Sequence, residues 1–260
     1  MDTVVLTDLS IGYKTKGSVY AVASGINGTI RSGELTCLMG ENGVGKSTLL
    51  RTLSAFQAPL GGSIEVAGRQ LADYSPQELA KTIGVVLTEK PDVGLMTARD
   101  MVALGRSPYT DFWGRLTADD QKIVTEAMEQ VGITPLAARQ VSTLSDGERQ
   151  KVMIAKALAQ QTQIIFLDEP TAFLDYPSKV DVLLLLRRVC REAGKTIFLS
   201  THDLELSLQA ADTLWLMTRN EGLLTGTPRE LATQGALSRF VEKSPEIVFD
   251  PQRLTVSLAF

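Results

Sequence analysis

Residues 40–47 read GENGVGKS and match the G-x-x-x-x-G-K-[ST] pattern of a loop that cradles nucleotide phosphates. The apolar run Leu35 to Met39 precedes the loop and a helical pattern from Lys46 to Ala55 follows it, which is the context the pattern requires. Glycines let backbone N–H groups at a helix N-terminus approach phosphate oxygens closely. We therefore expect the following residues to bind ATP: Gly40, Glu41, Asn42, Gly43, Val44, Gly45, Lys46, Ser47 and Thr48.

Two carboxylates follow a second apolar run, Ile164 to Leu167. In open α/β sheets, ligands bind at the carboxyl ends of the strands, where Asp168 and Glu169 are expected to emerge. Asp168 and the Ser47 hydroxyl are predicted to hold Mg²⁺, while Lys46 reaches the β and γ phosphates. Glu169 is predicted to orient and deprotonate the attacking water. The alternative is that the two acids form only a solvated turn or a helix cap.

His202 is the single histidine of the chain and follows a third apolar strand that ends near Thr201. Its position predicts a catalytic residue that senses the γ phosphate. A lone histidine is more often structural or on the surface, and the helix after it has a cap in either Thr201 or Asp203. Only the neighbouring motifs favour the catalytic interpretation.

The positions of these motifs indicate a parallel sheet. Short strands are predicted at Val4 to Ser10, Leu35 to Met39 and Ile64 to Val66, as an antiparallel start. From Ser75 onward the signals change to helix starts, with caps at Ser75, Thr97 and Thr117, and between about residues 89 and 160 only helices are evident. Three buried strands then alternate with helices, namely 164–167, 196–200 and 213–217 with helices 177–193 and 204–211.

This order predicts an α/β fold: a P-loop (RecA-like) nucleotide-binding core with an N-terminal antiparallel β subdomain and an inserted α-helical subdomain. The expected bounds are about 1–88 and 161–260 for the core and about 89–160 for the helical subdomain, all in one domain of 260 residues. The segment 235–260 is predicted either to add short strands to the core or to form a small regulatory or dimer contact.

Composition narrows the partners of the chain. A formal charge of −4 offers no large basic field, so no nucleic-acid partner is expected. Cys37 and Cys190 lie in apolar surroundings without metal-ligand spacing and are expected to be reduced core residues. The start, MDTVVLTDLS, lacks signal-peptide features, and the densest apolar run, Val182 to Leu186, is far shorter than the roughly 20 residues of a membrane span. The chain by itself is not expected to cross a bilayer.

The string LSDGE at residues 144–148 resembles LSGGQ, the signature of ATP-binding subunits of ABC transporters, and the resemblance extends over nearly the full chain. It implies a head-to-tail pair of subunits in which Ser145 and Gly147 contact the γ phosphate held by the partner, with ATP and Mg²⁺ as cofactors. It also implies that Asp175 couples the two sites. Tyr13 matches the aromatic residue that stacks on adenine, although Tyr20 is close enough to compete.

Three positions depart from the family pattern. Asp146 replaces a glycine, and its side chain is expected to turn away from the γ phosphate because like charges repel. The stretch Val86-Leu87-Thr88-Glu89 stands where the family carries a glutamine that binds Mg²⁺, so Glu89 is expected to be a metal ligand. Glu148 replaces the glutamine of the signature.

The stretches GRSPY at 105–109 and FWGRL at 112–116 are similar to ATPases of importers for iron chelates, haem and cobalamin. The resemblance implies a peripheral subunit on the cytoplasmic face of the inner membrane, bound to a polytopic permease and indirectly to a substrate-binding protein. Segments 89–96 and 106–113 are predicted to form a groove for a helix of the permease. The aromatic loop has a simpler alternative, which is that it only packs the helical insertion.

Two other function classes are compatible with a phosphate loop of this kind. One is a soluble ABC-type ATPase that acts in assembly or nucleic-acid handling without a permease. A P-loop kinase or GTPase is the other, and it does not account for LSDGE.

Overall fold

A six-stranded sheet occupies the centre of the computed structural model, which describes residues 2–15, 17–88 and 93–259. The strands β9, β3, β8, β7 and β6 run parallel in this spatial order, and β10 pairs antiparallel with β9 at one edge. Their bounds are β3 Leu35–Gly40, β6 Ile83–Val86, β7 Ile164–Asp168, β8 Thr196–Ser200, β9 Thr213–Thr218 and β10 Gly222–Gly226. β3 and β8 are buried along their whole length, as expected for parallel strands covered on both faces.

An antiparallel sheet of four strands covers one face of the central sheet. Its order is β2-β1-β4-β5, with β1 Asp2–Thr15, β2 Ser18–Arg31, β4 Gly61–Val66 and β5 Arg69–Gln70. Between the two sheets, helix α1 (Lys46–Leu53) packs with an aromatic row formed by Phe166, Phe198 and Trp215. The ring centroids of that row are 5.8 Å and 5.0 Å apart in edge-to-face geometry. The antiparallel start of the chain is thereby confirmed, and β2 is a strand that the sequence did not predict.

Helices α2 to α5 follow α1 along the chain, and three cap predictions are confirmed. Helices α2 (Pro76–Thr82), α3 (Ala98–Ala103) and α4 (Ala118–Val131) begin after Ser75, Thr97 and Thr117, each with a reciprocal capping box. Helix α5 (Asp146–Ala159) packs against α3 and α4 through buried apolar side chains such as Val102, Val124 and Val152. In the described part of segment 93–160 the regular elements are helical, apart from a single β bridge between Thr97 and Gln140.

Helices α6 (Tyr176–Ala193) and α7 (Leu204–Ala210) provide the crossovers between the parallel strands. Helices α8 (Pro228–Thr233) and α9 (Ala236–Val241) follow β10. The last two strands, β11 (Ile247–Asp250) and β12 (Thr255–Leu258), pair with each other in a separate two-stranded sheet, so they do not extend the central sheet.

Cys37 and Cys190 are buried free thiols, and burial raises the pKa of each to about 12. This placement agrees with the interpretation of both as core residues. Throughout residues 2–15, 17–88 and 93–259, every helix is too short or too polar to span a bilayer.

Candidate active site

The loop between β3 and α1 presents the N-terminus of the helix to solvent. Helix α1 begins at Lys46, and its N-cap residue Gly45 has a left-handed φ of 115° and no side-chain cap bond. A Cβ atom at Gly45 would lie 2.7 Å from Val22 Cγ1, so both the backbone angle and the packing require glycine. The first-turn N–H groups have no acceptor within the helix, so this end has free donors of the kind that bind phosphate in other proteins.

The Lys46 side chain lies beneath this loop and is only 6% exposed. Its Nζ donates to the carbonyl oxygens of Gly40 at 2.9 Å and Glu41 at 3.2 Å. Burial lowers the pKa of Lys46, whereas the nearby charges of Glu169 and Asp168 act to raise it. A cation in such surroundings gains from an anionic ligand, because neutral carbonyls compensate a buried charge only in part.

The carboxyl ends of β7 and β8 bring Asp168 and Ser200 side by side as register partners. Ser200 Oγ donates to Asp168 Oδ1 at 2.7 Å and accepts from the Glu169 backbone N–H at 2.9 Å. Across the loop, Ser47 Oγ lies 3.4 Å from Asp168 Oδ1. A hydroxyl and a carboxylate oxygen therefore meet at one point, and this pair of hard oxygen donors fits Mg²⁺.

Glu169 and His202 form a polar pair at the same edge of the sheet. The distance from Glu169 Oε1 to His202 Nε2 is 2.8 Å. Glu169 has a φ of 47°, in the left-handed region that non-glycine residues seldom occupy. Backbone strain of this kind concentrates where the surrounding structure holds a functional side chain in place.

A cavity of about 780 Å³ joins these groups. Residues 42–48, Glu169 and His202 line it together with Tyr13 and Tyr20, which face each other as register partners on β1 and β2. Tyr13 Oη lies 3.0 Å from Thr48 Oγ1. Both tyrosines therefore line the cavity, where either ring is placed to contact the adenine of a nucleotide.

Gly40 and Glu41 lie at the base of the loop instead of along the cavity wall. Their carbonyl oxygens hold Lys46, and the Glu41 carboxylate is 3.1 Å from Lys243 Nζ, just after α9. The segment 235–260 therefore reaches the phosphate loop.

Three predicted nucleotide contacts lie away from this cavity. Ser145 is the N-cap of α5 and Asp175 is the N-cap of α6, where its Oδ1 accepts from the Ser178 N–H at 3.0 Å. That cap, with the Ser178 side chain as its first contributor, lowers the pKa of Asp175. A Cβ atom at Gly147 would lie 3.0 Å from Ser178 Oγ, so the two helix N-termini are in close contact.

The three departures from the family pattern fall in different places. Asp146 Oδ1 lies 3.5 Å from an Arg149 nitrogen on the same helix. Glu148 accepts from the Ser145 N–H at 2.9 Å, and this bond is the main reason why its pKa is lowered. Glu89 lies outside the described residues, so its role as a metal ligand stays a prediction.

Thr88 is a site residue that the sequence analysis did not assign. Its Oγ1 donates to the backbone carbonyl of Asp168 at 2.7 Å. It also lines a cavity of about 310 Å³ together with Ser47, Asp168 and Glu169. A signal existed, since a hydroxyl residue follows the apolar run 83–87, but only the pairing of β6 with β7 shows that it reaches this edge.

A phosphate loop that faces two carboxylates at the carboxyl edge of a parallel sheet defines a P-loop nucleotide hydrolase. The sequence profile of the ABC transporter family matches residues 23–172, more than half of the chain. The chain therefore belongs to the ABC transporter family, as an ATP-binding subunit that hydrolyses ATP. The expected fold and the resemblance to the family are both confirmed.

Relatives with curated names agree with this assignment. An uncharacterised ABC transporter ATP-binding protein of Methanocaldococcus jannaschii is 43% identical over 86% of this chain and 76% of its own length. The ferric enterobactin transport ATP-binding protein FepC of Escherichia coli is 37% identical over 94% of this chain and 88% of its own. The hemin import ATP-binding protein HmuV of Thermobifida fusca is 37% identical over 86% and 78%, respectively.

Solved structures share the fold. CbiO1 of Clostridium perfringens, part of the ABC transporter complex CbiONQ, has a TM-score of 0.78 at 29% identity, covering 92% of this chain and 94% of that one. A dimeric ATP-binding cassette in a post-hydrolysis state, bound to ADP and Pi, has a TM-score of 0.74 at 26% identity, covering 86% and 98%.

Proposed function

We propose that this chain is the ATPase subunit of an ABC importer that takes up a metal chelate, such as an iron siderophore or haem, through a membrane permease. The observation that carries the ATPase assignment is that the phosphate loop, Glu169 and His202 line one cavity, while Asp168 lies 3.4 Å from Ser47 Oγ of that loop. Support for the importer and its cargo class comes from the named relatives, which act in ferric enterobactin transport and hemin import. Cobalamin belongs to the same proposed class through the resemblance of segments 105–109 and 112–116.

The geometry suggests a role for each side chain in hydrolysis. Lys46 and the N–H groups at the start of α1 bind the phosphates and neutralise the charge that develops on the transferred group. Ser47 and Asp168 would hold Mg²⁺, which supplies further charge neutralisation when bound. Glu169 accepts a proton from the attacking water and orients it, and His202 keeps the Glu169 carboxylate in one direction through their 2.8 Å contact.

We also propose that two copies associate head to tail. Ser145, Gly147 and Asp175 lie on adjoining helix N-termini outside the cavity of their own chain, so a second copy is needed to bring them to a nucleotide. The likeness to a dimeric cassette supports this arrangement. In this proposal residues 89–160 act as a helical subdomain that carries the signature, and residues 1–88 and 161–260 act as the core.

The permease is proposed to dock on exposed apolar side chains that do not line the nucleotide cavity. Leu95, Phe112 and Trp113 are 79%, 95% and 76% exposed, although they are large and apolar. Tyr109, just before the aromatic pair, bonds the carbonyl of Gln160, which lines a second cavity of about 750 Å³ between α1 and α2. A cytoplasmic helix of the permease would occupy this region and place the chain peripherally on the cytoplasmic face of the membrane, with a substrate-binding protein contacted only through the permease.

The first experiment tests the ATPase assignment. Glu169→Gln keeps the size of the side chain but removes the carboxylate, so ATP binding should persist while kcat falls by about 100-fold or more. ATP and Mg²⁺ should then hold the variant as a dimer on gel filtration. Rapid turnover by the Gln variant would remove Glu169 from its role.

The second experiment tests the permease. Purification of the tagged chain from membranes of its source should recover a polytopic membrane protein, and Phe112→Ala with Trp113→Ala should release it while ATP binding is kept. Leu258→Ala serves as a control, because this residue is also apolar and 60% exposed but lies on the terminal hairpin. Retention of the membrane protein by the double variant would show that the docking surface lies elsewhere.

A further inference from the structure

Asp203 stands at the N-cap of α7, directly after His202. An aspartate at this position normally accepts a hydrogen bond from a first-turn N–H of its own helix. Asp203 makes no such bond, because its carboxylate accepts instead from Thr171 Oγ1 at 2.7 Å and from Lys179 Nζ at 2.8 Å. The Asp203 carboxylate therefore bonds two residues that are distant in sequence and does not cap its own helix.

Both partners of Asp203 come from segments that carry site residues. Thr171 is two residues after Glu169 and only 2% exposed. Lys179 lies in the first turn of α6, the helix capped by Asp175. The Asp203 carboxylate thus connects three segments of the chain. They carry Glu169, Asp175 and His202, respectively.

A buried hydroxyl completes the connection. Thr201, which is 1% exposed, accepts from the Asp203 backbone N–H at 3.0 Å through its Oγ1. The Thr201 and Thr171 hydroxyl oxygens are 3.5 Å apart. Hydrogen bonds therefore fix both Thr201 and Asp203, and they restrict the backbone of His202, which lies between them.

The surroundings make these bonds stronger than surface contacts. The side chains of Asp203 and Lys179 are 24% and 26% exposed, so water screens their attraction only in part. Hydrogen bonds to a charged group are also shorter and stronger than bonds between neutral groups. Since the two donors approach different oxygens of the carboxylate, they determine its orientation.

We infer that Asp203 is a positioning residue for hydrolysis, which keeps His202 in contact with Glu169 and ties that pair to the N-terminus of α6. The inference rests on the roles proposed above for Glu169 and His202. Asp203 does not line the described nucleotide cavity, so it acts through these two residues and not on the nucleotide.

Asp203→Asn is the first test, because it keeps the shape and an acceptor for Thr171 but removes the charge that binds Lys179. We expect kcat to fall about 10- to 100-fold, since small misplacements of catalytic groups have effects of this order, while the Kd for MgATP changes less than about threefold. Asp181→Asn is the matched control. Asp181 lies on α6, as Lys179 does, and forms a 3.4 Å ion pair with Lys151 of α5, so its replacement should leave kcat unchanged.

Combination with His202→Ala separates positioning from a general loss of structure. If Asp203 acts through His202, adding Asp203→Asn to His202→Ala should cause no further loss of kcat. Lys179→Met, which breaks the same ion pair from the other side, carries the test if Asp203→Asn fails to fold. Independent, multiplicative losses in the double variant, or full kcat in the Asp203 and Lys179 variants, would overturn the inference. Full activity of Glu169→Gln would instead count against the proposed function, so the two failures are distinguishable.

Discussion

Two helices of this chain begin next to glycine-containing motifs, yet their N-termini are treated in opposite ways. Helix α1 starts after Gly45 with no side-chain cap. Helix α5 starts after Ser145, whose hydroxyl accepts from the Glu148 N–H at 3.2 Å while the Glu148 carboxylate returns to the Ser145 N–H. The N–H groups at the start of α1 have no side-chain acceptor. At the start of α5, the Ser145 hydroxyl and the Glu148 carboxylate already accept two of the N–H groups.

This difference between α1 and α5 suggests that ATP binding and ATP hydrolysis depend on different helix termini. In the proposed function, the uncapped start of α1 and the buried Lys46 bind phosphate within a single chain. The start of α5 already has partners for some of its donors, and in the proposed head-to-tail pair it contacts phosphate only when a second copy brings the nucleotide to it. Lesions at α1 should therefore abolish ATP binding, whereas lesions at α5 should spare binding and impair turnover.

The largest effect is expected for Lys46→Ala. The variant loses the cation beneath the phosphate loop, so the affinity for ATP should fall by about 100-fold or more, as measured by isothermal titration calorimetry. Lys195→Ala is a suitable control, since Lys195 also has its pKa lowered by burial and donates to a carbonyl, that of Thr162 at 2.6 Å. Equal loss of affinity in both variants would mean that the effect of Lys46 is structural.

A smaller and different effect is expected for Gly147→Ala in α5. The added methyl would narrow the approach of a phosphate held by a second copy, so kcat should fall about tenfold while ATP affinity changes less than about twofold. Alanine favours helix more than glycine does, but its methyl would lie 3.0 Å from Ser178 Oγ, so the two effects oppose each other and the free energy of unfolding should change by less than about 1 kcal/mol. Binding of ATP to dilute monomer and steady-state ATPase rates check this, and a parallel loss of affinity would contradict the separation.

The smallest effect is expected for Glu148→Gln, which tests the cap of α5 directly. Because the folded-state pKa of Glu148 is lowered from 4.5, the contribution of its carboxylate to stability is complete above that pH and is lost as the pH falls through the lowered value. The variant should be less stable than the parent by about 0.5–1 kcal/mol at pH 7, and the difference should shrink below pH 4. Urea titrations of the parent and the variant at pH 7 and below pH 4 measure this difference in the free energy of unfolding.

Glu230→Gln serves as the control for this last change, because Glu230 forms the same kind of capping box in α8. Stability should fall in the same direction in both variants, and ATPase activity should stay within about threefold of the parent. A stability difference for Glu148→Gln that does not vary with pH would argue against the cap as its cause.

Local signals account for the parts of the molecule that the sequence predicted well. The three capping boxes and the phosphate loop each lie within a few residues, so composition and spacing reveal them without knowledge of the fold. Strand β2 has no such signal, because only Ile26 and Ile30 among its residues are buried and the position between them on the same face is Gly28, so no run of alternating apolar and polar residues marks the strand. Its identity as a strand depends on the pairing with β1.

The same limit applies within the site. Thr88 reaches Asp168 only because β6 and β7 are neighbours, and Asp203 meets Thr171 and Lys179 from 32 and 24 residues away. The sequence correctly suggested a cap near residues 201–203, but it did not distinguish a local cap from a long-range bond. Helix α1 also ends at Leu53, two residues before the predicted end, since helix termini are weakly marked.

The Ser200 hydroxyl, described above between Asp168 and Glu169, has a single proton. The Glu169 amide occupies one lone pair of that oxygen, so the proton must go to Asp168, and main-chain geometry decides its direction. Strand β8 contributes no ligand through Ser200, yet it keeps the acid proposed to hold metal on one side of a hydroxyl and the acid proposed to activate water on the other. Alanine at position 200 would leave the partly buried Glu169 amide without its acceptor and Asp168 without its donor. The two acids would then no longer be held in different directions by one hydroxyl.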